Sequence, residues 1–439
     1  MTTDKENKSR LLVTREGVSY VLPFIVVTCC FALWGFANDI TNPMVKAFSK
    51  IFRMSVTEGT LTQVAFYGGY FAMALPAALF IRKFIYKSGI LMGLGLYAAG
   101  AFLFIAARST GTYWPFLVAY FILTCGLSFL ETSANPYILA MGSPQTATRR
   151  LNFAQSFNPI GSLCGMFVAM NFIQARLNPM SSADRALLPD AEFEAMRQSD
   201  LGILIKPYVI IGLVIVVMFL LILLVKMPRV KEENKGSIRE TLRDLIGKKR
   251  YREGVLAQFF YVGVQIMCWT FIIQYGTRIF MERGMSEIDA EVLSQRYNIA
   301  AMIIFCGSRF VCTWLMKYFQ PGKMLHLFAI AGIGCTLGVI FLQGMAGLYC
   351  LVAVSACMSL MFPTIYGIAL DGLGEDAKFG AAGLIMAILG GSVLPPLQAL
   401  IIDRGTLLGM PAVNVSFVLP MLCFLIIAIY GYRVYKNRI

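Results

Sequence analysis

An all-α membrane protein of twelve transmembrane helices is the fold class that the sequence predicts, and three observations predict it. Apolar residues make up 58% of the 439 and charged residues only 14%, whereas a soluble domain carries about 25% charge. The charges fall in short clusters, and between them lie apolar runs of about 20 residues, each long enough to cross about 30 Å of hydrocarbon. In lipid only helices and closed barrels satisfy their own backbone, and continuous apolar runs fit helices rather than alternating barrel strands.

Taken in order, the runs predict spans at 19–48, 60–81, 89–107, 113–141, 147–173, 204–226, 254–279, 293–316, 324–343, 346–370, 380–402 and 412–434. An even number leaves both termini on one side. With the termini inside, cytoplasmic segments hold about 25 of the 38 Lys and Arg residues and outer loops about 12, the bias expected of cytoplasmic loops. The expected location is therefore the inner membrane, multi-pass, with both termini cytoplasmic. The polar start Met1–Gly17 shows no cleavage pattern and precedes an uncleaved first span, so no signal peptide is expected.

Net charge is +14. Because the excess sits in loops and forms no basic stripe on a soluble segment, a nucleic-acid partner is not expected. All eleven Cys lie in or beside apolar runs and none has metal-ligand spacing, so they read as reduced packing residues. The single His, His326, opens a span near a basic loop and reads as interfacial. No metal or cofactor is implied. An enzyme would need a nucleophile or metal cluster near an interface, and a receptor would need a soluble signalling domain. The sequence offers neither.

Two loops are long. Residues 174–203 carry Asp184, Asp190, Glu192, Glu194 and Asp200 and read as a solvated acidic segment outside. Residues 227–253 are strongly basic, and Ser237-Ile-Arg-Glu240 matches a capping box, which predicts an amphipathic helix on anionic lipid headgroups. This linker divides the chain into a cytoplasmic start (1–18), a six-helix half (19–226), the linker (227–253) and a second six-helix half (254–435). Two six-helix halves are the plan of the major facilitator superfamily. A short internal repeat agrees: Asp39-Ile-Thr-Asn42-Pro43 in span 1 and Glu131-Thr-Ser-Ala-Asn135-Pro136 in span 4 each place an acid shortly before Asn-Pro.

Glu131 is the sharpest chemical signal. It lies deep in an apolar span with no neighbouring Lys or Arg. An ionised carboxylate there costs at least about 2.5–3.5 kcal/mol, so the neutral form is expected whenever the group is sealed from water. Two roles fit, a proton carrier and a permanently protonated structural acid; intramembrane acids default to the first. On span 5, Arg149 and Arg150 mark the cytoplasmic end, while Asn152, Gln155 and Asn158 recur every three residues and share a face. Amides that donate and accept at once suit a neutral polyol, and they equally suit interhelical hydrogen bonds. On span 7, Tyr261, Gln265 and Trp269 repeat every four residues. An aromatic beside an amide suits a sugar, whose C–H face stacks while its hydroxyls bond. Arg309, in mid-span, reads as a partner for a loop acid or a helix C-terminus.

Trp34-Gly-Phe-Ala-Asn38, Glu131-Thr-Ser-Ala-Asn-Pro136 and Arg150-Leu-Asn-Phe-Ala-Gln-Ser-Phe-Asn158 carry a resemblance. The chain resembles the fucose–galactose–glucose:proton symporter family over nearly its whole length, including Val255-Leu-Ala-Gln-Phe259, Phe362-Pro-Thr-Ile365 and Lys378-Phe-Gly380. The resemblance implies import of a monosaccharide with a proton by alternating access, one half rocking against the other, in a protein that works as a monomer with lipid around it. It also implies a proton-coupling role for Glu131 and a second acid on span 1. The substrate-binding residues it and the spacing together suggest are Trp34, Asn38, Asn42, Glu131, Asn135, Gln155, Asn158, Tyr261, Gln265 and Trp269. One departure matters. An ungapped count places the family's span-1 acid at Asn42, which cannot titrate. Asp39, three residues earlier on about the same face, stands in for it; otherwise coupling rests on Glu131 alone, or the protein is a uniporter. The loop Ile81-Arg-Lys-Phe-Ile-Tyr-Lys87 keeps the basic residues of the superfamily's loop signature but lacks its Asp. A proton-coupled exporter of another small solute is the remaining transport alternative, and the amide row on span 5 argues against its apolar cavity.

Overall fold

The computed structural model describes residues 19–41, 44–54, 58, 61–180, 182–228, 238–407 and 409–437. Asn42, Ser237 with the capping box it opens, and the segment 1–18 lie outside the described residues. Twelve helices among those described are long and apolar enough to cross a membrane. The chain packs as two compact units. One comprises Glu16–Ile138 with Phe157–Lys231; the other takes in Leu139–Ser156 together with Glu232–Ile439.

In the first unit, span 1 is α1 (Val21–Thr41), followed by the short α2 (Met44–Ile51). Spans 2 to 4 are α3 (Leu61–Lys83), α4 (Tyr86–Thr110) and α5 (Trp114–Ala140). Span 4 is the most enclosed of the twelve, with 83% of its apolar window buried. Its sequence explains why: Thr124, Gly126, Ser128, Ser133 and Ala134 let neighbouring backbones approach from several sides.

Span 5 is not the single helix that its apolar run predicts. It breaks into α6 (Ala147–Gln155) and α7 (Asn158–Val168), because Pro159 has no N–H for the carbonyl of Gln155 four residues back. Backbone-to-backbone packing then seats α7 on α1. A Cβ added at Gly161 would come within 1.8 Å of Ala32 O, and one at Gly35 within 2.1 Å of Asn158 O, so only glycine fits either position.

The segment after span 5 departs from the expectation of a solvated acidic loop. Helix α8 (Ser182–Ala186) leads into α9 (Asp190–Leu224), which carries the chain through span 6 as one 35-residue helix. Asp200 is only 1% exposed. Its Oδ2 lies 2.8 Å from Nη1 of the equally buried Arg185, in ionic contact but off the line of a hydrogen bond, while its Oδ1 accepts from Asn178 N. Arg185 also donates to the carbonyls of Asn178 and Met180, and Arg53 donates to the carbonyls of Arg185 and Leu188 with its guanidinium over the Phe193 ring. Asp190 and Glu192 sit in the first turn of α9, where acidic groups complement the helix dipole. At its other end Lys87 Nζ donates to the carbonyls of Leu223 and Val225, so part of the basic loop between spans 2 and 3 caps this helix.

In the second unit, α10 (Ile238–Gly247) is an amphipathic helix in the linker, with Leu245 buried and Arg239 and Arg243 on it. Span 7 is α11 (Lys249–Glu282), which starts inside the basic linker. Ser286 caps α12 (Glu287–Leu315), its Oγ accepting from Asp289 N, and α13 (Pro321–Phe341) follows. Span 10 divides into α14 (Met345–Met358) and α15 (Met361–Leu370), span 11 into α16 (Ala377–Met386) and α17 (Gly390–Ile402), and a two-residue hairpin at Thr406–Leu407 and Met410–Pro411 precedes α18 (Ala412–Val415) and α19 (Val418–Tyr435). His326 bonds the Ala428 carbonyl through Nδ1. The eleven cysteines are free thiols; Cys29 and Cys164 face outward and are not buried as the sequence suggests.

Asp200→Ala leaves the buried Arg185 without its counter-charge and is expected to cost about 3–5 kcal/mol of stability. Asp190→Ala, which removes a fully exposed partner of Arg53, is expected to leave stability nearly unchanged. Thermal unfolding of the two purified variants in detergent checks the contrast.

Candidate functional site

Three helices of the first unit converge on Glu131. The side chain is 5% exposed on α5, one turn before Pro136. Tyr70 on α3 donates its hydroxyl to Glu131 Oε1 at 2.9 Å, and the same hydroxyl lies 3.3 Å from Oδ1 of the half-buried Asn38 on α1. Ser128 Oγ, one turn before Glu131, donates to the Tyr70 carbonyl and ties α3 to α5 at this level. Among the described residues Glu131 has no ion-pair partner. A phenol occupies the place where an arginine or lysine would hold the carboxylate permanently charged. A group bonded in this way can keep or lose its proton without rebuilding its surroundings.

The other expected residues of this unit divide by role. Asn135 directs Nδ2 to the Glu131 carbonyl within its own helix. Trp34 is buried against Phe31, ring centroids 4.0 Å apart. Asn158 donates to the Phe31 carbonyl, and Ser162 to that of Gly35, so α7 is bonded as well as packed to α1. Asp39 is half-buried on α1 and acts electrostatically on Tyr67 of α3.

In the second unit a buried cation stands where two helices break. Arg309 of α12 donates Nε to the Ser359 carbonyl at 2.5 Å and Nη1 to the Gln155 carbonyl at 3.0 Å. Pro363 lies four residues after Ser359, as Pro159 lies four after Gln155. Each proline removes the N–H that would have satisfied its carbonyl, and one guanidinium replaces both lost bonds. Helix C-termini carry partial negative charge, so the pair also offsets the buried cation. Around it Phe305 lies under the guanidinium at 4.5 Å, and the Trp269 ring meets Phe305 edge-on at 4.9 Å. Trp269 donates to Ser355 Oγ, and the buried Tyr261 donates to the Met358 carbonyl. Gln265 is half-buried on the same helix. Helix α6 is held here too: Asn152 Nδ2 donates to Thr364 Oγ1 at 3.2 Å, and Gly367 leaves room for Thr148. Gln155 is buried at the end of α6. Arg150 is fully buried and donates to the carbonyls of Leu139 and Ser143, so it fastens the turn between spans 4 and 5.

Spacing on individual helices does not reveal Tyr70, Phe305 or Ser355, since each matters through a partner on another helix. The cluster Phe66-Tyr67-Gly-Gly-Tyr70 in mid-span is the one local sign of Tyr70.

With this geometry in hand, known proteins can be set beside the chain. Residues 27–396 match the Major Facilitator Superfamily. The chain is 54% identical over 424 residues to the L-fucose-proton symporter of Haemophilus influenzae, covering 95% of this chain and 97% of the relative. It is 33% identical over 421 residues to the L-fucose-proton symporter of Escherichia coli, covering 95% and 94%. Among solved structures, the Major Facilitator Superfamily transporter FucP in its outward conformation superposes with a TM-score of 0.85 at 33% identity, over 94% of this chain and 98% of that one.

Arg309→Met is expected to orphan both proline-freed carbonyls and cost roughly 2–6 kcal/mol, about 1–3 for each buried acceptor. Arg309→Lys is expected to recover only part of this, because a compact ammonium cannot reproduce a planar fork. Denaturation midpoints of the two variants measure the difference.

Proposed function

The chain belongs to the Major Facilitator Superfamily, and from that membership we propose that it imports L-fucose, or a closely related six-carbon sugar, by symport with protons. The observation that carries this reading is Glu131, a buried carboxyl held by a phenol hydroxyl instead of a cation. The relatives at 54% and 33% identity, both L-fucose-proton symporters, supply the substrate class. Glu131 takes a proton while open to the outside, and the neutral form tolerates the reorientation that a naked charge in low dielectric would oppose. Loss of that proton to the cytoplasm then releases the sugar.

Asp39 is assigned a supporting part in proton coupling. The residues assigned to sugar contact are Trp34, Asn38, Asn42, Glu131, Asn135 and Asn158 in the first unit and Gln155, Tyr261, Gln265 and Trp269 in the second. Several of these already spend hydrogen bonds inside the protein. Asn158, Asn135 and Tyr261 hold backbone carbonyls, which favours a positioning role for them, whereas the half-buried Asn38 and Gln265, and Trp269 through its ring face, are the better candidates for direct contact. Uniport is a second reading, favoured by Asn42 alone.

The protein is a multi-pass membrane protein. We place it in the inner membrane with both termini cytoplasmic, on the Lys and Arg bias of its loops. We assign it two functional halves, 19–226 and 254–435, on either side of the linker 227–253, and a monomeric working state. Arg239 and Arg243 of α10 suit anionic headgroups.

Vesicle uptake of labelled L-fucose, galactose and glucose, with and without a pH gradient, tests the reading. Accumulation of fucose only under the gradient is expected; equal equilibration in both conditions supports uniport instead. Glu131→Gln is expected to abolish accumulation above equilibrium while retaining counterflow exchange, and full accumulation by this variant refutes the role of Glu131.

A further inference from the structure

Tyr70 has one hydroxyl hydrogen and two acceptors. Glu131 Oε1 stands at 2.9 Å on α5 and Asn38 Oδ1 at 3.3 Å on α1. A charged acceptor draws a hydrogen bond about twice as strongly as a neutral one. While Glu131 is a carboxylate it therefore keeps the hydrogen, and it is also the nearer of the two acceptors. When Glu131 is protonated that advantage disappears, whichever oxygen carries the proton. If the acid's own O–H turns to the phenol oxygen, the phenol hydrogen is released outright. In both cases the balance moves toward Asn38.

We propose that Tyr70 is a positioning residue that reports the protonation of Glu131 to the Asn38 carboxamide, fixing Asn38 for sugar only when the proton is loaded. The inference rests on the symport reading above and adds to it a route by which proton and sugar sense one another. No proton leaves Tyr70 in the cycle; one hydrogen bond exchanges acceptors. Asn38 is the half-buried member of the trio, whereas Tyr70 and Glu131 are buried. A carboxamide whose oxygen is already held loses less freedom when its N–H groups meet a sugar hydroxyl. Loaded with a proton, the site is pre-organised; unloaded, Asn38 must be ordered at the expense of sugar affinity. Sugar binding should accordingly be tighter at low pH and weaken as pH rises through the titration of Glu131. Among the described residues, the titratable groups that act on Tyr70 besides Glu131 are Tyr67 on α3 and Tyr97 on α4, with Asp39 on α1 acting on Tyr67. The two tyrosines stay neutral through the physiological range, which leaves Glu131 and Asp39 as the groups able to set the profile.

The test is the pH profile of L-fucose affinity for the full-length protein in proteoliposomes. For wild type, affinity is expected to fall about tenfold from about pH 6 to about pH 8.5, within the usual range of coupling between sites. Tyr70→Phe keeps the ring and removes the hydroxyl. It is expected to bind fucose with that ratio cut to below about threefold, in step with the lost coupling energy. A Tyr70→Phe profile as steep as wild type overturns the proposal. A flat wild-type profile likewise overturns it, whereas the symport reading fails only if fucose accumulation is independent of the pH gradient, so the two failures are distinct. A measurement that needs no variant to fold is the pH-difference infrared spectrum of wild type carrying isotope-labelled tyrosine. A tyrosine C–O band that shifts together with carboxyl protonation is expected, and carboxyl protonation without any tyrosine band overturns the relay.

Discussion

A carboxyl group sunk to hydrocarbon depth must be hydrogen-bonded, neutral or paired, and that constraint organises the first unit. Glu131 meets it through Tyr70, and the surrounding packing follows. α5 can carry an acid because its small and polar residues bury it on nearly every side. α3 is fastened to it by Ser128, and α1 brings Asn38 to the same hydroxyl. α1 in turn is placed by glycine contacts with α7 that admit no side chain. Remove the requirement to shelter that carboxyl and there is no reason for these polar side chains to meet at such depth.

The second unit solves the opposite problem, a buried cation, with backbone instead of acid. Arg309 takes up the two carbonyls that Pro159 and Pro363 set free, one at the end of α6 and one at the end of α14. A cation paired to helix ends is not neutralised by any single proton, so its charge state is independent of the one that Glu131 undergoes. Broken helices with unmet carbonyls are where membrane transporters place ions and substrates; here one such pair is used up by the protein's own arginine. Phe305 and Trp269 extend from that point and give the unit its aromatic face.

Much of the fold is legible in the sequence because lipid enforces a simple rule: an apolar run of sufficient length becomes a helix. Among the described residues all twelve runs are helical, although spans 5, 10 and 11 each divide into shorter helices. The boundaries differ where a second rule intervenes. Helix α9 starts at Asp190, well before its apolar run, because Asp200 finds Arg185 and Arg53 organises the preceding turns. Hydropathy treats those charges as solvated and cannot see that they pair. Span 5 breaks because Pro159 is in it, a signal present in the sequence and outweighed there by the amide row. Glu131 stands out because a lone acid in an apolar run is costly, whether it carries protons or serves as a protonated structural acid. Tyr70 is not, since a tyrosine in a membrane helix is common and its meaning lies 61 residues away. Asn158 shows the limit of periodicity: sharing a face with Gln155 does not determine whether that face meets solute or, as its bond to Phe31 shows, a neighbouring backbone. Arg309 is intermediate, since its pairing with helix ends follows from charge and dipole, whereas the choice of Gln155 and Ser359 depends on which carbonyls the prolines release.

The most direct test of the whole account is proton movement driven by sugar alone. L-fucose is added to de-energised, weakly buffered proteoliposomes while external pH is followed. If Glu131 binds a proton on each inward passage of sugar, the medium turns alkaline as fucose enters, and the signal vanishes when a protonophore is present. Fucose entry at an undiminished rate with no change in external pH would contradict it.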